Sequence, residues 1–359
     1  MREKLNPYHI GLLMYLVQSG VLMFSLPRLT AEHFGTNGWI SIVIASALVC
    51  MNIGLFYIVY HMGQGQSVFD IMESSVSKFI LVPMYAVIAS IWSISGCLIG
   101  KQYMLMFQML SFHTTPSSIL KILFDILVYF LLIQGIYNIV KASTVFFYLT
   151  VWMPLLLLYH FRDIEWVRFT PFLFQGNTTA MAQGMVEIFA SLLGYEVCLY
   201  LFPYVERNSK FFRAVLLGNL YTTFVYIFIC VVSFGFFGFG LLLKLKFPLL
   251  DLLAFIELPF VERIENLLFV FFIFKMLMTT VICYWIAQLY LERIFTKAQP
   301  KILAFLLVII TYIVSNLTDV LQEVVDWLRY FVMMQSLLNF VIPIFLIFLL
   351  LVKRRQGVK

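Results

Sequence analysis

Two charged residues stand where a chain this apolar should carry none. Glu196 closes the run Phe189-Ala190-Ser191-Leu192-Leu193-Gly194-Tyr195-Glu196, and Lys275 sits inside Phe274-Lys275-Met276, each deep in apolar sequence. An ionised side chain at membrane depth is costly unless it is paired, protonated or wetted, so both are functional candidates. Glu196 has two readings: a group that meets a ligand, or an acceptor that holds a broken helix together. For Lys275 the first expectation is an ion pair with Glu187, Glu196 or Asp125; the second is a ligand carboxylate.

Two glycines mark where helices would break. Gly20 is followed by Pro27, and Gly194 by Pro203, in apolar runs that otherwise read as helix. A broken helix exposes unpaired N–H and C=O groups that can hold a small ligand; close helix packing is the competing use of such glycines. Gln18 and Ser19 beside the first break, Ser191 and Tyr195 beside the second, and Ser95-Gly96 in a third run complete the expected ligand-binding set. Glu262, Arg263 and Glu265 open a later helix. Acids in a first turn complement the helix dipole, and Arg263 could tie the preceding segment to a neighbour as a lid. Histidines 9, 33, 61, 113 and 160 form no cluster, and no HExxH, phosphate-binding loop or nucleophile elbow occurs, so neither an enzyme nor a cofactor is expected. The five cysteines lack metal-ligand spacing and read as packing residues.

The elements that position these residues follow from composition. The 359-residue chain is 62% hydrophobic, 12% charged and 18% aromatic, with a mean hydropathy of +0.97. A soluble domain would carry about a quarter charged residues. A spanning helix needs roughly 20 apolar residues, which gives about ten spans. They are read at 10–31, 38–60, 80–108, 119–140, 144–159, 181–204, 212–236, 266–290, 301–317 and 331–352, with amphipathic stretches at 65–78 and 247–264. The first span lacks a cleavage pattern and is expected to stay. With both termini in the cytoplasm, 14 Lys and Arg fall inside, nine outside, and Lys275 within a span. The net charge of +6 therefore reflects topology, not nucleic acid.

The two halves correspond. Span one and span six each carry the glycine and then the proline, and each half has its amphipathic stretch after the second span, on opposite sides. The expected fold is an all-α integral membrane bundle, a 5+5 inverted repeat with helices 1 and 6 interrupted. The repeats cover about 8–160 and 181–352 of a single domain spanning 1–359.

Span six resembles the interrupted sixth helix of the amino acid–polyamine–organocation (APC) superfamily, which is LeuT-like in fold. Three further elements narrow the resemblance: Gly20 to Leu26-Pro27-Arg28, Phe247-Pro248, and Glu262-Arg263-Ile264-Glu265. Together they resemble the spore germination permease family, the B subunits of nutrient germinant receptors, over essentially the full chain. Leu22 stands where many relatives carry a second glycine. The resemblance implies a germinant, an amino acid or sugar, bound between helices 1, 3, 6 and 8. It also implies an A-type membrane subunit and a C-type lipoprotein as partners, and a place in the spore inner membrane. An APC-type transporter of an amino acid or amine is the alternative. Thr279-Thr280 resembles the hydroxyl pair of sodium-coupled members, although paired threonines more often bond their own carbonyls. Proton-coupled members can use a span-five lysine, which the stretch 144–159 lacks.

Overall fold

In the computed structural model, residues 4–172, 174–175, 181–207, 210–256 and 264–355 are described (355 by its backbone), and every regular element among them is helical. The first span is two half-helices, α1 (Pro7–Gln18) and α2 (Leu26–Phe34), joined through a 3-10 turn. Helix α3 (Ile40–Met62) and the short amphipathic α4 (Val68–Glu73) lead to α5 (Lys78–Leu110), α6 (Ser117–Leu132) and α7 (Gly135–Thr150). The second half repeats the order. Half-helices α8 (Met181–Ser191) and α9 (Val197–Tyr200) precede α10 (Phe211–Leu242), the short α11 (Pro248–Ala254), α12 (Ile264–Ile294), α13 (Pro300–Ser315) and α14 (Leu321–Arg355).

Contacts divide the bundle into two faces. Leu5 N–H donates to the Tyr204 carbonyl (2.8 Å), the Tyr60 ring packs on Phe202 (5.1 Å), and Leu350 reaches Gly63 just beyond α3. Both chain ends therefore share one face, here the terminal face, which requires an even number of crossings. Helix α4 lies there, with Asp70 and Glu73 paired to Arg293 at 3.5 and 3.2 Å. Helix α11 lies on the other, distal face, where its Leu252 carbonyl meets His160 Nε2 at 2.9 Å. The opposed placement of α4 and α11 is the inversion between the two halves.

Six helices, counting α7 with the 3-10 turns that extend it to Arg162, are long and apolar enough to cross a membrane. Their outward faces carry Phe79, Met51, Leu217 and Leu337, each at least 65% exposed. Apolar side chains in such number stay outside only in lipid. The protein is a multi-pass integral membrane protein.

Three expectations need correction. The fourth helix ends at Leu132, and the fifth begins at Gly135, whose φ of +76° makes the turn without a loop. Lys141 thus belongs to the fifth helix, but it is exposed and its ammonium lies over the Tyr137 ring at 4.2 Å. Lys101 and Lys121, two of the nine counted on the outer side, are fully buried inside α5 and α6. Lys121 pairs with Asp125 at 2.5 Å. Lys101 reaches Asp319 at 2.6 Å and Ser117 at 3.2 Å. The hydrogen bond from Lys101, helped by one from Ser117, holds the Asp319 carboxyl below the usual carboxylate range. This latch ties the last third of α5 to the loop that precedes α14.

The last correction concerns Lys275. Its ammonium meets the Tyr15 hydroxyl at 3.0 Å and lies over the Tyr15 ring (4.7 Å) and the Phe272 ring (5.6 Å). None of the three expected acids is its partner. Glu187 takes Arg329 (3.1 Å), Asp125 takes Lys121, and Glu196 takes a backbone N–H. An aromatic face and a phenol give an ammonium partial compensation where a carboxylate is out of reach.

Candidate functional site

The first break is built from a cap, an extended residue and a proline. Ser19 ends α1 with its hydroxyl donating to the Tyr15 carbonyl (2.6 Å). Gly20 follows in extended backbone, φ −83° and ψ −175°. A 3-10 turn over Val21–Phe24 then leads to α2, with Pro27 in the first turn, where a missing N–H costs nothing. The second break is tighter. Helix α8 ends at Ser191, and Gly194 takes φ +122°, a conformation L side chains rarely adopt. Glu196 closes it: one carboxylate oxygen accepts the Gly194 N–H at 2.7 Å, and the other accepts the Gln335 amide of α14 at 3.1 Å. Glu196 is 1% exposed. Its carboxylate holds the unwound turn and at the same time forms part of a cavity wall.

Helix α10 staples the two breaks together. The Gln18 amide donates to the Leu192 carbonyl (2.7 Å) and to Asn219 (3.0 Å), and Thr222 donates to its oxygen (2.9 Å). The Tyr226 hydroxyl donates to the Gln18 carbonyl at 2.6 Å and lies 3.2 Å from the Ser191 carbonyl. Carbonyls freed by unwinding are thus met by fixed donors, as apolar surroundings demand.

Between the breaks lies a cavity of about 60 Å³. One water needs about 10–15 Å³ by this measure, so the space holds a few waters. The breaks contribute Val17, Gln18, Gly20, Val21 and Leu22, and Ala190, Ser191, Leu193, Gly194 and Glu196. Helix α5 adds Trp92, Ile99 and Gln102, α12 adds Thr279 and Cys283, and α14 adds Leu328, Val332 and Gln335. Two buried polar atoms of lining residues, Trp92 Nε1 and Gln102 Oε1, have no hydrogen-bond partner.

Of the residues singled out in the sequence, Gln18, Gly20, Ser191, Gly194, Glu196 and Thr279 meet in this cavity. Ser19 is buried beside it. Tyr195 turns toward Phe56, ring centroids 5.9 Å apart. Gly96 is where α5 meets α12: a Cβ there would come within 2.8 Å of the Cys283 Cβ. Ser95 is buried next to it and outside the lining. Thr279 donates to the Lys275 carbonyl (3.0 Å) and lies 3.3 Å from the Val17 carbonyl of the first break, whereas Thr280 reaches the Gly96 carbonyl (3.4 Å). Lys275 lies in the wall of a separate apolar cavity with Met23, Phe24 and Leu250. Glu265 is buried in the first turn of α12, and Glu262 and Arg263 lie outside the described residues.

Sequence reasoning missed the α10 staple, Gln102 and Gln335. The staple did carry a signal: Asn219, Thr222, Thr223 and Tyr226 fall at i, i+3, i+4 and i+7, a polar stripe on an apolar helix. Gln102 and Gln335 are lone amides with no such pattern.

The comparisons with known proteins agree with this architecture. A family model described as spore germination protein matches residues 4–323. Spore germination protein A2 of Bacillus subtilis (strain 168) is 25% identical over 359 residues, covering 95% of this chain and 93% of that one. Spore germination protein GerQB of Bacillus cereus is 23% identical over 268 residues, 74% of this chain and 73% of the relative. Among solved structures, the nucleobase-cation-symport-1 family transporter Mhp1, closed with bromovinylhydantoin bound, superposes with a TM-score of 0.64 at 15% identity. It covers 91% of this chain and 75% of that one. MhsT in complex with L-phenylalanine gives a TM-score of 0.64 at 17% identity, covering 100% and 91%. At such identities the two structures speak for the fold.

Proposed function

We propose a function from one premise: the chain belongs to the spore germination protein family. It is the nutrient-sensing membrane subunit of a germinant receptor. A small germinant, an amino acid or a sugar, occupies the mid-membrane cavity between spans one (α1 and α2), three (α5), six (α8 and α9) and eight (α12), with span ten (α14) as a further wall. The observation that carries this reading is the cavity itself, formed where two broken helices face each other and lined by the buried polar residues Gln18, Gln102, Glu196 and Gln335.

Occupation of the cavity would pull together groups contributed by five different helices. A ligand shifts a conformational equilibrium only by its preference for one state, and a cavity now sized for a few waters must expand to admit a nutrient. The expanded form is the state the ligand selects. Partner subunits, an A-type membrane protein and a C-type lipoprotein, would convert that shift into germination. The terminal face looks into the spore core and the distal face out of it, as the excess of Lys and Arg near the terminal face supports.

The test is complementation of spores that lack their own receptors with this gene and its partner genes, across a panel of amino acids, sugars and nucleosides. Germination with at least one nutrient is expected. Silence across the panel, with the subunit present in spore membranes, would contradict the receptor reading. The second reading, a secondary transporter, is favoured by the transporter fold of the two solved neighbours. It predicts accumulation of a radiolabelled nutrient in vesicles containing this chain alone.

A further inference from the structure

A second cavity, of about 100 Å³, lies directly distal to the first and is the larger of the two. The two share Leu22, Gln102, Ala190, Leu328 and Val332, which form a thin partition between them. The walls of the distal cavity are apolar apart from Ser25, Gln102 and one pair of opposite charges. Arg329 of α14 lies 3.1 Å from Glu187 of α8 across its mouth. His33 of α2 adds a contact to Glu187 at 3.6 Å, and Gln183 donates to it at 3.2 Å. The two charged groups differ in freedom: the Glu187 side chain is 9% exposed, whereas that of Arg329 is 43% exposed. At the floor lies Gln102, 4% exposed, whose buried amide oxygen has no partner.

We propose that this distal cavity is a second binding site, for a zwitterionic α-amino acid on its way to the central cavity. Arg329 takes the carboxylate, Glu187 takes the ammonium, and the apolar side chain rests on Leu22, Leu328 and Val332. The inference rests on the germinant-sensing reading above. An α-amino acid carries its two charges on adjacent carbons and can replace, end for end, the ion pair that closes the mouth. Arg329 supplies the movement, because its guanidinium sits half in solvent and offers a two-pronged donor suited to a carboxylate. A sugar finds little here, since the wall has one neutral hydroxyl, and that one is turned to the Leu22 carbonyl (3.3 Å). Removal of the amino acid into the central cavity lets the ion pair re-form behind it. Gln102 lines both cavities, and its unpartnered oxygen would offer an acceptor to a donor group passing through the partition.

The test uses complemented spores and compares α-amino acids, their carboxamides and glucose as germinants. With Arg329→Gln, the α-amino acid concentration for half-maximal germination is expected to rise about tenfold or more, the loss of one charge-assisted hydrogen bond. The maximal rate at saturation stays unchanged, because the central cavity is intact. Arg329→Lys, which keeps the charge and loses the two-pronged donor, should fall between wild type and Arg329→Gln. Responses to the carboxamides should be the same with arginine and glutamine. Val325→Trp fills the distal cavity without altering either charge and should also raise the half-maximal concentration. It serves as the test if Arg329→Gln is missing from membranes. An unchanged dose response in whichever variant reaches wild-type abundance overturns the inference and leaves the receptor reading standing. So does an equal loss for amino acids and carboxamides, or a wild type that answers only to neutral sugars or nucleosides. A wild type that answers to no nutrient removes both.

Discussion

Replacing Gly194 with alanine is expected to abolish germination through this chain and to deplete it from the membrane. The backbone at Gly194 has φ +122°, a region that costs a residue with a Cβ about 1–3 kcal/mol. The added methyl would also stand 2.8 Å from Val17 Cγ1, 3.0 Å from the Val17 carbonyl carbon and 3.1 Å from the Gln18 nitrogen. Two of those atoms are backbone of the other break, so relief requires moving α1 itself. Overpacking of this kind adds about 1–3 kcal/mol. The sum is a large fraction of the ~5–15 kcal/mol that separates folded from unfolded domains. The measurement is the thermal stability of the purified chain in detergent, alongside its abundance in spore membranes. Wild-type stability for Gly194→Ala would mean that the two breaks do not meet as described.

The second large effect lies away from the cavity. Lys121 and Asp125 are 0% and 2% exposed, and the ammonium reaches both carboxylate oxygens, at 2.5 and 2.6 Å. Lys121→Met leaves a buried carboxylate without its cation and should destabilise the protein by about 3–5 kcal/mol; Asp125→Leu strands the ammonium with a similar loss. The double substitution should recover most of that loss, because apolar side chains of similar volume replace a buried pair at little net cost. A double variant no more stable than the worse single one would show that each charge has a further partner. Either outcome is read from melting of the four proteins under one set of conditions.

How much of this was legible in the sequence depended on how local each cause was. The two breaks were legible, because Gly20 with Pro27 and Gly194 with Pro203 disrupt helices through their own backbone chemistry. The inversion was legible for the same reason, as the spacing of the breaks and amphipathic stretches repeats along the chain. Partner choice was not. Lys101 and Lys121 looked like helix ends because charge normally marks the membrane edge, yet Lys101 is buried against Asp319, 218 residues away, and Lys121 is buried with Asp125 one helical turn on, where only packing takes the pair out of water. Lys275 was assigned to a carboxylate, and it lies instead against Tyr15, 260 residues away in sequence. Glu196 was legible as an exceptional residue. Its bond to Gly194 N–H, two positions back, depends on a turn that no residue pattern specifies.

Gly20 gives the most direct test that the central cavity receives the nutrient. Its backbone is extended, at φ −83°, which any residue can adopt, and a Cβ there would meet nothing within 4 Å. Gly20→Val should therefore fold and reach wild-type abundance while its side chain takes up space in a cavity of only about 60 Å³. The decisive measurement is the nutrient dose response of complemented spores carrying Gly20→Val, with receptor abundance determined in parallel. The account predicts a normal amount of protein and a response that is lost or displaced to much higher nutrient concentration. A wild-type dose response would contradict it, since the nutrient would then be sensed somewhere other than between the two breaks.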